Sequence, residues 1–411
     1  MRLEREKDSY EKIIGLVKST RASRAVTKFL TSQVRIFQKE SKVLQSVGSS
    51  KVTLDVNTSI DHVLTICRKS VTKEEYQKLL LDVGNIFKMH GEFDRAAKTF
   101  NEALDYGRKT KNDENVALSF LELGDVYSRQ GKWQESQRNL EISRKLFSRL
   151  KNFGSLAKVE NILGTSFAEQ GLLKKANRYF SIAIQYAERS HQKEIAGTIF
   201  MNLGIIQNII GNWDGALNNY RRALSQFDMS ENLTKIMEVH HNIGMSFFSK
   251  KDYANALKSF DKSLEYSIKN NNPVLIGISK LSKANTYFKQ ADFPLALALC
   301  NQALEQNRIT DDRLSIADAY KLKGMILREM KEFEPAMTFF QSSLRINEEY
   351  QNLLNLAETY REIGVMEQYR KRTTAAKNAY SKAIGYFHSL GAKADERETG
   401  ELLKSLTLKR N

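Results

Sequence analysis

Catalysis needs a nucleophile, a base, a metal-binding cluster or a phosphate cradle, and the residues able to supply these are few in this chain. The six histidines, His62, His90, His191, His240, His241 and His388, are scattered along 411 residues. His240 and His241 are neighbours, and adjacent residues on a helix point about 100° apart, which keeps them from sharing a metal ion. Two cysteines, Cys67 and Cys300, are too few for a disulfide framework or a cysteine-rich zinc site. There is no Gly-rich phosphate loop, no His-Glu-x-x-His and no calcium loop. The expectation is therefore no enzyme, no catalytic residue, no cofactor and no metal. What remains is a set of asparagines, lysines and arginines returning at fixed intervals. That is the chemistry of recognition, and a regular scaffold must position it.

The scaffold is legible as a period of 40 residues. A small residue recurs at Gly84, Gly124, Gly164, Gly204, Gly244, Ala284, Gly324 and Gly364. A second small row runs Ala96, Ser136, Ala176, Ala216, Ala256, Ala296, Ala336 and Ala376, and a third runs Ala103, Ser143, Ala183, Ala223, Ser263, Ala303, Ser343 and Ala383. Between these two rows lies a large residue: Phe100, Leu140, Phe180, Tyr220, Phe260, Cys300, Phe340 and Tyr380. Small residues let two helices approach closely, and the large one fills the adjacent gap. Apolar residues return every three or four positions, so each repeat reads as two helices. Gly91, Gly131, Gly171 and Gly211 occupy the turn between them, where a left-handed residue ends a helix. Lys251, Ala291, Lys331 and Lys371 replace glycine in the other four, which predicts strain or a different turn. Cys300, in the large row, reads as a packing residue.

The small–aromatic–small pattern resembles the tetratricopeptide repeat. The Leu-Gly step is met at Leu123-Gly124, Leu163-Gly164, Leu203-Gly204 and Ile243-Gly244, and the aromatic three residues on at Tyr127, Phe167, Phe247 and Tyr287. The familiar unit is shorter and ends in proline, which is absent here. The longer unit is similar to the repeats of G-protein-signalling modulators, kinesin light chains and bacterial Rap-type regulators. The resemblance implies an all-α, right-handed solenoid of eight helix-turn-helix repeats over residues 77–390. A basic helical extension (1–36) and a degenerate leading repeat (37–76, its second helix starting at a cap made by Thr58 and Asp61) would precede it. A capping helix and basic tail (391–411) would follow.

In such arrays the first helices line a concave wall, which implies a trough for a protein or peptide. Outward positions lie two and three residues before the recurrent glycine and one and four after it. They give Asn161, Asn202, Asn208, His241, Asn242, Asn285, Lys321, Arg328 and Arg361. Asparagines suit a peptide backbone because they donate and accept; the lysine and arginines suit acidic side chains. Asp82, Glu122 and Asp125 would make the opposite end of the trough negative. The resemblance also offers a carboxylate clamp of lysine and asparagine at three before and one after the glycine. No repeat has both, since Lys321 is matched with Met325 and Asn85 with Leu81.

Net charge is +16, which keeps a second reading open, binding to nucleic acid or an anionic membrane surface. The segment Lys12–Lys39 has seven Lys/Arg and no acidic residue, and Lys18, Arg21, Arg24 and Lys28 are its candidate patch. Diffuse charge over the repeats weighs against this reading. A cytoplasmic scaffold, adaptor or signalling protein is expected, with self-association open.

Overall fold

The computed structural model describes residues 56–408, with side chains from Val63 to Leu406. The basic extension, including Lys18, Arg21, Arg24 and Lys28, and the first helix expected in the leading repeat lie outside the described residues. Within them are 18 helices and no strand. Chain contacts divide into two compact units, one ending at Ile206 and one starting at Gln207.

In the first unit, α1 (Val56–Ser70) is followed by the pairs α2 (Lys73–Met89) and α3 (Phe93–Thr110), α4 (Asp113–Arg129) and α5 (Trp133–Arg149), and α6 (Phe153–Glu169) and α7 (Leu173–Arg189). Helix α8 (Lys193–Ile209) carries the chain across the division. The second unit continues with α9 (Trp213–Met229), then α10 (Leu233–Ser249) and α11 (Tyr253–Lys269), α12 (Pro273–Lys289) and α13 (Phe293–Thr310), α14 (Arg313–Glu329) and α15 (Phe333–Glu349), α16 (Leu353–Tyr369) and α17 (Thr373–Ser389), and a last helix α18 (Lys393–Leu408). Because α1 already runs through Thr58, that residue sits inside the helix and not at its cap, a correction to the capping reading. From α1 to α7 and from α9 to α18 each helix packs on the next, and first helices also touch the first helices of neighbouring repeats, as α2 touches α4 and α12 touches α14. This is the packing of a helical-repeat solenoid.

The helices start and stop for local reasons. Asn112, Asn152, Asn232, Asn272, Asp312 and Asn352 each cap a first helix by accepting from the backbone N–H three residues on, worth about 1 kcal/mol apiece. Thr72 and Glu75 form a reciprocal capping box at the start of α2. At the turns, Lys251, Ala291, Lys331 and Lys371 take φ values of 61°, 61°, 65° and 57°, and Gly131 takes 70°. The four non-glycine repeats thus keep the glycine turn and carry strain; no different turn replaces it. The backbone closes alike in both cases, as with Lys132 N–H on Tyr127 O at 2.9 Å and Asp252 N–H on Phe247 O at 2.9 Å.

The core is the small–large lock read from the sequence. A Cβ on Gly324 would lie 2.6 Å from the Phe340 ring, so only a hydrogen fits there. Serines at the small positions are fully buried yet bonded. Ser136 Oγ donates to Gly124 O at 2.7 Å, Ser143 Oγ to Ala117 O at 2.8 Å and Ser263 Oγ to Met237 O at 3.0 Å. Each thereby returns a hydrogen bond for the hydroxyl it removes from water. Among the described residues, no helix is long and apolar enough to cross a membrane.

Candidate protein-binding grooves

First helices present the same side-chain rows in each repeat, and in the second unit these rows enclose a groove of about 490 Å³. Its apolar floor comes from Met245, Phe248, Leu281, Leu322 and Met325, all at the expected outward positions, with Asn285 among them. Its polar side comes from Asp318, Lys321, Asn355, Glu358, Arg361 and Glu362, with the exposed Lys289 at one edge. Rows six and nine residues before the glycine therefore contribute as well. Sequence reasoning missed these rows, although one further helical turn from the row at three before the glycine reaches them.

Three cations of this wall, Lys321, Arg361 and Arg328, are already engaged by carboxylates. Lys321 Nζ donates to Asn355 Oδ1 at 2.6 Å, pairs with Glu358 and lies 3.6 Å from Asp318. Its repeat equivalent, Arg361, reaches Asp395 at 3.2 Å and Glu398 at 3.6 Å. Arg328 lies between Glu329, at 2.9 Å, and Glu362. Arg328 is only 6 % exposed, so it does not project into a trough as the sequence suggested. Burial opposes its charge, and the two glutamates outweigh that and hold its pKa above the ordinary arginine value. The basic end foreseen for the wall is thus covered by carboxylates, most of them in the overlooked rows.

Further along the same unit the rows next to the glycine are uncharged, while Lys235 and Glu238 pair in the outer rows. His241 packs on Phe260, ring centroids 5.4 Å apart, and its Nδ1 is buried without a hydrogen-bonding partner. Burial lowers its pKa to about 4, so the ring is neutral at pH 7. Asn208 Oδ1 is likewise buried and unpartnered, and Asn242 is half-buried.

In the first unit, Asn202 Nδ2 donates to Asn161 Oδ1 at 3.0 Å, so these two predicted side chains meet each other across neighbouring first helices. A second groove of about 520 Å³ lies near α1, lined by Glu74, Glu75, Asp82, Asn85, Asn115 and Glu122 around Leu81 and Leu118, with Lys78. Burial pushes the Asp82 carboxyl up, against the pull of Lys78. Glu122 and Asp125 are both held by Lys88, Asp125 at 2.8 Å.

Comparison with known proteins agrees with this architecture. A tetratricopeptide-repeat model matches residues 275–349 and a second one residues 238–267, while the model for soluble NSF attachment protein, SNAP, matches residues 63–235. Hsp70-Hsp90 organizing protein 1 of Glycine max is 30 % identical over 131 residues, 30 % of this chain and 22 % of that protein. The chain thus spans about a fifth of the curated relative it matches. Among solved structures, apo RapI superposes with a TM-score of 0.59 at 14 % identity, covering 81 % of this chain and 98 % of RapI. A Rap protein complexed with competence and sporulation factor gives 0.53 at 11 %, covering 84 % and 99 %. The Rap conjugation gene regulator of plasmid pLS20, in complex with the Phr peptide, gives 0.54 at 13 %, covering 83 % and 96 %. The 40-residue lock, the helix pairs and the matched repeat models agree: residues 238–267 and 275–349 match tetratricopeptide repeats, and the described residues fold as a solenoid of such helix pairs.

Proposed function

We propose that this protein is an interaction scaffold or regulatory adaptor, one that holds a peptide or helical segment of a partner along its first helices and does no chemistry on it. The observation that carries this reading is the second-unit groove, apolar at its floor, polar at its side and open to an extended or helical ligand. Apolar anchors with a few placed polar groups are the usual anatomy of peptide recognition. Two of the Rap structures are complexes, one with competence and sporulation factor and one with the Phr peptide, and the curated relative is an Hsp70-Hsp90 organizing protein by name; both support a binding role for such repeats. Within this reading, Asn285, Lys321 and Arg361 contact the partner directly. Asn161, Asn202, Asn208, His241 and Asn242 supply polar wall, and Arg328 fixes Glu362.

The test is capture from native extract by the full chain and by a Leu281→Arg/Met325→Arg variant. Partners retained by the wild type and lost by the variant, at equal helicity by circular dichroism, support the reading. An identical set of partners would sink it.

The net charge of +16 favours a second reading, an anionic surface or nucleic acid held by Lys18, Arg21, Arg24 and Lys28. It predicts affinity that falls steeply with salt and disappears when those four residues are neutralised. Salt-insensitive binding, or binding untouched by the substitutions, dismisses it.

A further inference from the structure

The chain is strongly basic, and the groove itself sets Asp318, Glu358 and Glu362 against Lys289, Lys321 and Arg361, but the ion pairs that run from it to α18 carry an excess of acid. Lys321, Arg328 and Arg361 each stand between two carboxylates, so three cations face six anions. Exposure is unequal in the same sense. Lys321 is 15 % exposed against 42 % for Asp318 and 33 % for Glu358. Arg361 is 19 % exposed against 42 % for Asp395 and 69 % for Glu398. The cations are sunk beneath the acids, and an arriving ligand meets acceptor lone pairs. Two acids per cation leave lone pairs free for a further donor. Burial already pushes the Asp318 carboxyl up, with Lys321 pulling it down, so an added cation there would relieve a real cost.

Beside this acidic side runs the apolar floor. Met245 and Met325 are unbranched and polarisable, and such side chains adapt to differently shaped anchors. We propose that the second-unit groove takes a basic amphipathic peptide or helix. Its apolar edge seats on Met245, Leu281 and Met325, and its Lys or Arg side chains reach Asp318, Glu358 and Glu398. The inference rests on the docking role proposed above and fixes the sign of the partner, opposite to the acidic ligand that Lys321 and Arg361 suggest when read alone.

The experiment selects from a displayed library of amphipathic peptides of about 15 residues, roughly four helical turns, with Lys, Arg, Glu and Gln randomised on the polar face. Selection is run on the full chain and on a Leu281→Gln/Met325→Gln variant whose melting curve matches the wild type. The expected pool is enriched in Lys and Arg, is depleted on the double variant, and loses affinity as salt rises. A Lys321→Met variant, which uncovers Asp318 and Glu358 while keeping the aliphatic stem, should bind the enriched peptides several-fold more tightly. An acidic or neutral pool, or weaker binding by Lys321→Met, overturns the sign and leaves the docking role standing. A pool recovered equally from the double variant, or no enrichment on the wild type, removes the docking role and this inference with it.

Discussion

Asn307 is 1 % exposed, and neither atom of its side-chain amide has a hydrogen-bonding partner within the protein. It lies over Gly277, where a Cβ would collide with its amide oxygen. Unpaired buried polar groups cost about 1–3 kcal/mol each, so Asn307→Leu, nearly the same in shape, should stabilise the protein by about 1–2 kcal/mol. A higher urea midpoint with unchanged slope would register it, and a drop would show that the amide is serving an unseen partner. His241 carries the complementary lesson. Its folded pKa of about 4 lies below the ~6.5 of an unfolded chain. Neutral His241 therefore stabilises the fold above pH ~6.5, and the contribution is lost as pH falls through that value toward 4. Replacing it with phenylalanine keeps the contact with Phe260, so the difference in stability between variant and wild type should shift in the variant's favour between pH 7 and 4.5. A constant difference over that interval would rule out a buried, neutral ring.

The helix-to-helix lock is testable through its own exception. Gly324→Ala should destabilise by about 1–3 kcal/mol as the new methyl group drives into Phe340. Repeat six shows how that clash is avoided: Ala284 stands where glycine is usual, and Cys300 where the aromatic is usual, both fully buried. Cys300→Phe alone should therefore be costly and Ala284→Gly/Cys300→Phe tolerated, a non-additivity that thermal melts of the four proteins would read directly. At the turns, Lys331→Gly should add about 0.5–1 kcal/mol by releasing a left-handed lysine. This is the scale at which the sequence was most informative, because packing between helices leaves a periodic trace of small and large residues. The candidate site was half legible. Rows next to the glycine were found, but the turn before them was not, although Asp318, Glu358 and Glu398 recur there at the same 40-residue spacing; the acid row runs only through the last repeats and does not mark the whole array. At Lys251 and Lys371 the register exposed the missing glycine but left strain and a different turn both open, and the positive φ values decide for strain.

On the scale of the whole molecule, net charge misleads about local sign. An excess of 16 positive charges coexists with first helices in the second unit where Lys321 and Arg361 are each covered by two more exposed carboxylates. Long-range attraction to polyanions and short-range selection of a ligand are therefore separable properties. Ionic strength screens the first over about 8–10 Å, whereas the second depends on half-buried pairs that salt reaches poorly. Binding of an anionic surface should collapse between low and physiological salt, while groove affinity for a basic peptide declines more gently; parallel titrations of both ligands would separate them.

The glycine–aromatic contact has one more consequence. Gly324 and Phe340 belong to one repeat, as do Gly244 and Phe260 or Gly364 and Tyr380, so each such module brings both halves of its own fastening. A recombination breakpoint at a module border leaves these fastenings intact, whereas one at the hairpin tip tears a half from its mate. Duplication or loss of whole forty-residue cassettes is therefore the path along which such a chain can change length, and grafted modules should be exchanged in that same phase.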